Sequence, residues 1–304
     1  MPAPLFSRGH GRENDHHRCV SMDLMPAVAS PAPRVDAAHA LRDWMDRHPR
    51  LFVLTGAGCS TASGIPDYRD GNGDWKRSPP VSYQAFVASE AAYRRYWARS
   101  SIGWPRFLAA RPNTAHLALA ALERGGRVAL LVTQNVDGLH QRAGSRAVLD
   151  LHGRLDAVVC LGCGGRRPRG AVQEAILLAN PGWHAPSGTI APDGDADIDD
   201  AAVADFVAPT CPDCGGMLKP DVVFFGENVP RERGLQAREA LAAADGMLVA
   251  GSSLMVMSGF RFARLAREAG TALAILNRGR TRADELADLR VDGDVGTLLQ
   301  EAMR

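Results

Sequence analysis

Short apolar runs alternate with amphipathic stretches along most of this chain. Leu51–Leu54, Val128–Thr133, Met247–Ala250 and Ala272–Leu276 have the length and the continuous apolar character of strands buried in a parallel sheet. Between them, apolar residues recur at helical spacing. The predicted helices cover residues 36–48, 114–124, 231–244 and 260–269. This alternation predicts an α/β fold, a doubly wound Rossmann-like parallel sheet whose ligands collect at the carboxyl ends of the strands.

Each of these four strands is followed by a polar turn. In the first, Gly56-Ala57-Gly58-Cys59-Ser60, paired glycines let backbone amides approach a pyrophosphate. The turn lacks the third glycine of the dinucleotide fingerprint, so alone it also fits a plain strand-to-helix turn. The other three turns are Thr133–His140, Gly251–Ser253 and Asn277–Gly279. Their amides, hydroxyls and carboxylate suit a ribose, a carboxamide or a phosphate, so the four turns together predict a nucleotide site.

Two Cys-x-x-Cys pairs lie between the second and third turns. Four thiolates at this spacing match a closed tetrahedral zinc site, which leaves no position for a reacting water. The alternative, two disulfides, is disfavoured because nothing amino-terminal has secretory character and intracellular thiols stay reduced. The predicted ligands of one structural zinc are Cys160, Cys163, Cys211 and Cys214. The predicted domains are a nucleotide-binding domain of residues 35–150 and 222–304 and an inserted zinc-ribbon domain of residues 151–221.

Composition and charge limit the possible functions further. The 304 residues carry a formal net charge of +1, which gives no electrostatic pull toward nucleic acid or a membrane surface. No apolar run approaches the roughly 18 residues of a membrane span. We therefore expect a cytoplasmic monomer that binds neither nucleic acid nor membranes. Residues 1–34 are rich in proline, alanine, histidine and arginine without apolar periodicity, which predicts a disordered tail.

The turns and the cysteine pairs, together with three further motifs, resemble the motif series of the sirtuins. The further motifs are Gly64-Ile65-Pro66-Asp67-Tyr68-Arg69, His152-Gly153 and Lys219–Glu227. The series runs through about 260 residues and leaves only the amino-terminal tail uncovered. Within the family, the segments that resemble the class II group, which includes many bacterial proteins, are Ala191–Asp195 and Asn277–Asp284. Two positions depart from the common pattern, since Tyr68 replaces a more usual Phe and Cys59 a frequent Ile.

The resemblance implies an NAD-dependent enzyme that removes an acetyl, longer or acidic acyl group from protein lysine, giving nicotinamide and O-acyl-ADP-ribose. It implies that His152 is the general base, a role that suits an imidazole because its unperturbed pKa lies near neutrality. Asn135 and Asp137 match the positions that order the ribose and a nearby water. The other implied NAD contacts are Gly56, Ala57, Gly58, Ser60, Ile65, Asp67, Tyr68, Arg69, Gln134, Gly251, Ser252, Ser253, Asn277, Arg278, Gly279 and Val295.

The resemblance also implies an acyl-lysine protein or peptide as the substrate partner, bound between the two domains as an added strand. The matching backbone is Val223-Phe224-Phe225-Gly226. Tyr96 and Arg99 resemble the Tyr-x-x-Arg pair with which some sirtuins accept succinyl or glutaryl groups, because a phenol and a guanidinium can bind a distal carboxylate. The alternative for this pair is an exposed helix face within an already basic run.

Two other functions use the same cofactor site. Transfer of ADP-ribose to a protein side chain needs the same NAD contacts, so the sequence leaves it open as a side activity. The second is a non-enzymatic NAD-sensing module, which would tolerate the loss of His152, Asn135 or Asp137. All three residues are present, which favours the enzyme.

Overall fold

The computed structural model describes residues 34–76, 80–183 and 203–304 of the chain. The predicted tail, apart from Arg34, and the Ala191–Asp195 segment lie outside these ranges. None of the helices in the described ranges is both long and apolar enough to cross a membrane.

Nine strands form two sheets within the described residues. The strands are β1 Leu51–Thr55, β2 Val128–Thr133, β3 Val148–Asp150, β4 Gly153–Cys160, β5 Arg166–Pro168, β6 Leu218–Val222, β7 Gly246–Ala250, β8 Ala272–Asn277 and β9 Leu289–Asp292. Six make a parallel sheet in the order β3-β2-β1-β7-β8-β9, and three make an antiparallel sheet in the order β5-β4-β6. The predicted doubly wound α/β class is confirmed, and the strand order reverses at β1, the place where such sheets bind ligands.

Helices cover both faces of the parallel sheet. They are α1 Arg34–Arg47, α2 Tyr83–Val87, α3 Glu90–Ala109, α4 Thr114–Arg124, α5 Leu139–Arg142, α6 Arg169–Ala179, α7 Arg231–Ala242, α8 Met257–Glu268 and α9 Val295–Ala302. Apolar side chains of α1, α4 and α9 pack on one face, and those of α7 and α8 on the other. In β1, Leu51 and Val53 join the first core while Phe52 and Leu54 join the second, which explains why this strand is apolar at every position.

The antiparallel sheet has an apolar core of its own. Phe86 of α2, Trp97 of α3 and Ile176 of α6 are buried there together with Leu218 of β6. Tyr96 belongs to the same cluster and is only 6% exposed. The alternative interpretation of an exposed helix face is therefore wrong for Tyr96, because one side of α3 packs under the small sheet.

Candidate active site

A cavity of about 900 Å³ opens at the carboxyl ends of the parallel strands. All four polar turns predicted from the sequence contribute to its lining. The cavity brings together every predicted cofactor residue except Gly279. It also includes His152 and every predicted substrate residue except Arg99.

Two of the turns pack backbone against backbone at the strand-order reversal. The Gly58 N–H donates to the Gly251 carbonyl over 2.8 Å. A Cβ added to Gly56 would lie 2.8 Å from the Cβ of Ser252, and one added to Gly251, whose φ is +66°, would lie 2.5 Å from the Cys59 nitrogen. No side chain fits at such distances, so only glycine allows this approach. A wall of close-packed backbone that carries no side chain lets a pyrophosphate approach it closely.

Cys59 lies behind this wall and is 1% exposed. Its thiol donates to the Ala250 carbonyl over 3.2 Å. Burial, with a smaller contribution from Asp137, raises the pKa of the Cys59 thiol far above its ordinary value. The thiol therefore stays protonated and serves as a packing group.

Ser60 joins the first turn to the second. Its hydroxyl donates to Asp137 Oδ2 at 2.6 Å and accepts from the Asn135 side-chain amide at 3.1 Å. Asn135 also donates to the Gly56 carbonyl at 3.0 Å, and Asp137 Oδ1 accepts from the Leu139 N–H at 2.8 Å. The two residues predicted to order the ribose are thus held by hydrogen bonds from both sides.

Two buried histidines that the sequence interpretation missed adjoin this network. His116 Nε2 lies 3.5 Å from Ser60 Oγ, and the His116 ring centroid lies 4.8 Å from that of His140. His140 Nε2 donates to Thr55 Oγ1 at 2.9 Å, because the Thr55 hydroxyl itself donates to Thr133. Burial lowers the pKa of both histidines, that of His140 to about 3 with a smaller contribution from His116. His140 is therefore neutral at pH 7.

The position of His116 follows from the start of α4. Asn113 caps that helix by accepting the Ala115 N–H at 2.8 Å, while its own backbone N–H donates to His116 Nδ1 at 3.3 Å. The Asn113 side-chain amide also donates to the Cys59 carbonyl at 2.7 Å. The sequence does carry a signal for this position of His116. An Asn three residues before a His at the start of a predicted helix is the pattern of a capping box.

His152 lies in the turn between β3 and β4 and lines the cavity. Its Nδ1 lies 3.0 Å from the Gln134 carbonyl and its Nε2 lies 2.7 Å from the Ser258 hydroxyl. Because a carbonyl only accepts, Nδ1 carries the proton and Nε2 accepts from Ser258. Burial lowers the pKa of His152 to about 4, opposed by the bond to Gln134. His152 is therefore a neutral base at pH 7, and Ser258 is the second hydrogen-bond partner of its ring.

Residues 67–76 form a short hairpin at the rim of the cavity, which we call the lid hairpin. Arg69 and Trp75 make an antiparallel bridge, and the guanidinium lies 3.9 Å from the centroid of a Trp75 ring. The Asp70 carboxylate accepts the backbone N–H groups of Asn72 and Asp74, at 2.9 and 3.0 Å. These contacts give the tip of the hairpin a defined conformation.

Gly279 meets this hairpin rather than the cavity. A Cβ on Gly279, whose φ is +79°, would lie 2.6 Å from the Gly71 Cα, and the Arg280 N–H donates to the Gly71 carbonyl over 2.9 Å. The glycine is required by this close approach of two backbones. Gly279 therefore supports the lid hairpin by packing against the backbone of Gly71.

Asp67 stands at the base of the hairpin. It lines the cavity together with Ile65, which is 7% exposed. Lys76, at the other end of the hairpin, donates from Nζ to Asp67 Oδ1 at 2.5 Å. The Asp67 carboxylate, one of the implied NAD contacts, thus forms an ion pair with Lys76 of the lid hairpin.

The segment after β6, predicted to pair with substrate, forms another wall. The Val223 N–H donates to the His152 carbonyl at 2.8 Å, which ties the segment to the turn that carries the base. The Glu227 carboxylate accepts the Phe224 N–H and the Lys219 ammonium, both at 2.8 Å. This partly buried ion pair fixes the conformation in which the segment leaves the sheet.

The opposite end of the cavity is built from the ends of β8 and β9. Asn277 donates from Nδ2 to the Arg278 carbonyl at 2.9 Å, which leaves its side chain fixed at the strand end. Asp294 caps α9 by accepting the Thr297 N–H at 2.9 Å, and this bond, against partial burial, lowers the pKa of Asp294. Val295 follows as a buried apolar residue that lines the cavity. A polar edge beside an apolar surface suits a nucleoside.

Tyr96 of α3 reaches the cavity from the side of the small sheet. Its ring packs edge-on against Phe86, with centroids 5.0 Å apart, and lies 5.4 Å from the ring of Phe224. Arg99 follows three residues later and is not among the described residues that line the cavity. The structure therefore brings Tyr96, and not Arg99, into the cavity wall.

A buried cation lies in the same region. Arg169 is 1% exposed, and its guanidinium lies 5.2 Å from the Trp97 ring and 5.0 Å from the Trp104 ring. It donates to Gln173 Oε1 at 2.8 Å and to the Ser100 carbonyl at 3.3 Å. Burial lowers the pKa of Arg169 to about 10, opposed by Tyr96. The guanidinium remains charged at pH 7, so it adds a positive potential on the Tyr96 side of the cavity.

The four predicted metal ligands meet at one point, with all four sulfurs within 4.8 Å of one another. The Sγ atoms of Cys160 and Cys214 are 3.5 Å apart, and those of Cys163 and Cys211 are 3.8 Å apart. Zinc–sulfur bonds of about 2.3 Å in a tetrahedron place the sulfurs about 3.8 Å apart, so the cluster fits one zinc ion. The Gly162 N–H donates to Cys160 Sγ at 3.3 Å, a bond that stabilises a thiolate.

Comparison with known proteins gives close relatives. The family model described as the Sir2 family matches residues 56–258, more than half of the chain. An NAD-dependent protein deacetylase of Xanthomonas axonopodis pv. citri is 61% identical over 254 residues, which is 84% of this chain and 87% of the relative. An NAD-dependent protein deacetylase of Bordetella bronchiseptica is 57% identical over 270 residues, 89% of this chain and 98% of the relative.

Solved structures agree with this match. A structure described as Sir2 with p53 peptide and NAD⁺ superposes with a TM-score of 0.70 at 32% identity, covering 87% of this chain and 96% of that one. A structure of Sir2Tm bound to a propionylated peptide superposes with a TM-score of 0.67 at 31% identity and the same coverage. The motif series, the cavity and these matches show that the chain belongs to the Sir2 family.

Proposed function

We propose that this protein is an NAD-dependent protein-lysine deacylase. The observation that carries the proposal is His152, an uncharged imidazole whose Nε2 accepts a hydrogen bond in the same cavity as the paired glycine turns, Asn135 and Asp137. The names of bacterial relatives that are 50 to 61% identical, NAD-dependent protein deacetylases, support the activity. Structural neighbours described as bound to a p53 peptide with NAD⁺ and to a propionylated peptide support the substrates.

The cavity has a suitable residue for each part of NAD⁺. When bound, the cofactor supplies an electrophilic ribose carbon and nicotinamide as its leaving group. Asp67 would accept the carboxamide N–H with Ile65 against the ring, and Asn135 and Asp137 would order the ribose. The residues proposed for the pyrophosphate and neighbouring ribose are Gly56, Ala57, Gly58, Ser60, Gln134, Ser252 and Ser253. Those proposed for the adenosine are Asn277, Arg278 and Val295.

His152 acts as the general base in this proposal. Its Nε2 would accept a proton from a ribose hydroxyl, for which Ser258 has to release its hydrogen bond. Nδ1 keeps its proton and donates it in the hydrogen bond to the Gln134 carbonyl, which stabilises the imidazolium that forms. The negative charge of the cofactor phosphates would raise the pKa of His152 in the complex.

The substrate lysine would enter beside the segment after β6. We propose that the peptide pairs with the backbone of Val223–Gly226 and that Tyr96 contacts the far end of the acyl chain. Tyr96 offers a phenol, and the buried Arg169 adds a positive potential, so the pocket favours an acyl group that ends in a carboxylate. Arg99 acts at longer range, because it does not line the cavity.

The protein works best, we propose, in a reducing compartment such as the cytoplasm. Cys160 and Cys211 are buried and Cys163 and Cys214 are exposed, so oxidation of the exposed pair would destroy the zinc site. Thiols at this spacing persist as ligands only where they stay reduced.

The experiment is a panel of peptides that carry acetyl, propionyl, succinyl, glutaryl or methylglutaryl lysine, incubated with the purified protein and NAD⁺. Mass spectrometry follows nicotinamide, deacylated peptide and O-acyl-ADP-ribose. Equal amounts of all three products are expected. Nicotinamide release with ADP-ribose on protein and an unchanged peptide would instead favour ADP-ribosyl transfer. Binding of NAD⁺ without turnover of any peptide would favour the sensor.

A further inference from the structure

Lysine is almost absent from this chain. Of 35 lysines and arginines only Lys76 and Lys219 are lysine, so 33 (35 − 2) are arginine. The Lys219 side chain is 7% exposed, and its ammonium donates to the Glu227 carboxylate and to the Val222 carbonyl. The Lys76 side chain is 44% exposed. Of the two lysines, Lys76 is therefore the one with a well-exposed side chain.

The exposed amine lies at the cofactor site. The Lys76 backbone N–H donates to the Tyr68 carbonyl at 2.9 Å and closes the base of the lid hairpin. Its ammonium lies 2.5 Å from Asp67 Oδ1, and both residues line the cavity. The neighbouring Trp75 packs edge-on against Phe225, with ring centroids 5.8 Å apart. A change of charge at Lys76 thus acts directly on the carboxylate proposed for the nicotinamide carboxamide.

We propose that Lys76 is a site of reversible acylation by acyl thioesters, and that its acylation frees Asp67 for the cofactor. In this reaction the deprotonated amine attacks the thioester carbonyl, a C–N bond forms, the C–S bond breaks, and the departing thiolate takes up the proton that the nitrogen loses, so that a free thiol is the second product. Arginine does not form such stable amides. The inference rests on the proposed role of Asp67 in the deacylase.

Acylation changes the cofactor site in two ways. The amide nitrogen carries no charge, so the ion pair with Asp67 is lost and its carboxylate becomes available to the carboxamide. The positive charge beside the cationic nicotinamide ring is also removed, which ends a like-charge repulsion. Both side chains are about a third exposed or more, so screening limits the gain to about two- to fivefold in NAD⁺ affinity.

The modified lysine is itself an acyl-lysine on an exposed hairpin. A second copy of the enzyme can therefore remove the group, which makes the acylation reversible by the proposed activity. High concentrations of acyl thioester would raise the affinity of the enzyme for NAD⁺, and deacylation would restore the original state.

The first test is chemical labelling of the folded protein with acetyl-coenzyme A, followed by peptide mass mapping. We expect acetylation of Lys76 at least tenfold faster than acetylation of Lys219. The variant Lys76→Arg should gain no acetyl group on the lid peptide. Labelling of Lys219 at an equal rate, or an unlabelled Lys76, would overturn the proposal.

The second test is the Kd for NAD⁺ by calorimetry, which needs no turnover and so separates this proposal from the deacylase activity. Acetylated protein and Lys76→Gln should bind NAD⁺ about two- to fivefold more tightly than unmodified protein. Lys76→Arg keeps the charge and is the matched control, with a Kd expected nearer to that of unmodified protein. Equal Kd values for acetylated and unmodified protein would overturn the effect on the cofactor.

Reversal is tested by adding NAD⁺ to the acetylated protein. We expect the acetyl group to be lost at a rate that rises with enzyme concentration. A stable acetyl group on an active enzyme would exclude reversal.

Discussion

The Ser258 hydroxyl donates to Nε2 of His152 at 2.7 Å, the nitrogen that accepts a proton in the proposed reaction. Ser258 stands in the first turn of α8, whereas His152 follows β3, so the bond joins distant parts of the chain. Since Nδ1 is bonded to the Gln134 carbonyl, both ring nitrogens are held. The orientation of the base is therefore set before substrate binds, which is what an efficient general base requires.

Replacement of the base should separate two steps of the reaction. His152→Gln is expected to lower kcat/KM for deacylation by a factor of about 10² to 10⁴, because proton transfer to a positioned imidazole contributes that much. Exchange of labelled nicotinamide into NAD⁺ should be retained, since the carboxamide is assigned to Asp67. Ser258→Ala, which keeps the imidazole and removes one of its two anchors, should cost less than tenfold. A parallel loss of exchange and deacylation in His152→Gln would contradict the role of a base.

His140 should make the stability of the fold depend on pH. Its folded pKa is about 3, below the roughly 6.5 of an unfolded histidine, so between these values the unfolded chain binds more protons. The contribution to stability is present above pH 6.5 and is lost as the pH falls toward 3. The slope approaches about 1.4 kcal/mol per pH unit for one such group. His140→Gln should reduce the slope of unfolding free energy against pH, measured in urea, between pH 4.5 and 6.5. His116 and His152, whose pKa values are also lowered, should keep the rest of the slope. An unchanged slope would contradict the contribution of His140.

Removal of zinc should unfold the small antiparallel sheet. Cys160 ends β4 and β4 pairs with both β5 and β6, so the metal site anchors the whole sheet. Structural zinc contributes folding free energy directly, and Cys163→Ser should therefore lose the metal, lose part of the circular dichroism signal and lose deacylation. Cys59→Ala is the matched control, because Cys59 lies outside the cluster and the variant should keep one zinc per chain by metal analysis. A zinc-free protein with full activity would show that the site is dispensable.

The local sequence pattern predicts the long helices and strands of this fold well, and it predicts the short or irregular strands poorly. The predicted bounds of β2 and α4 agree with the structure, because an apolar run and an amphipathic period with an Asn cap are local signals. The short strands β3 and β9, of three and four residues, carry too few residues for a period. In β4 a register shift between Arg154 and Val158 interrupts the alternation that would have indicated a strand.

In the candidate site, too, contiguous motifs could be predicted and contacts between distant segments could not. The glycine turns and the cysteine pairs are contiguous motifs, so spacing alone indicated them. The contact between His116 and His140 joins α4 to α5, and nothing in the local sequence of either helix requires the other. Gly279 illustrates a different limit, since its left-handed backbone serves the contact with Gly71, and a sequence motif does not distinguish a glycine that approaches backbone from one that approaches a ligand.

The choice of acyl group should depend on Tyr96 more than on Arg99. Tyr96 lines the cavity, so Tyr96→Phe removes a phenol that can bind a terminal carboxylate, while the ring packing on Phe86 and Phe224 remains. A hydrogen bond to a charged group contributes about 1.5 to 3 kcal/mol, which predicts a loss of about tenfold or more in kcat/KM for succinyl-lysine. Acetyl-lysine lacks the carboxylate and should change less than threefold. Arg99→Met should reduce succinyl-lysine turnover less than Tyr96→Phe does. Arg99 does not line the cavity, so its positive charge acts on the succinyl carboxylate only at longer range. Equal losses on acetyl and succinyl peptides in Tyr96→Phe would show that the phenol shapes the cavity without selecting the acyl group.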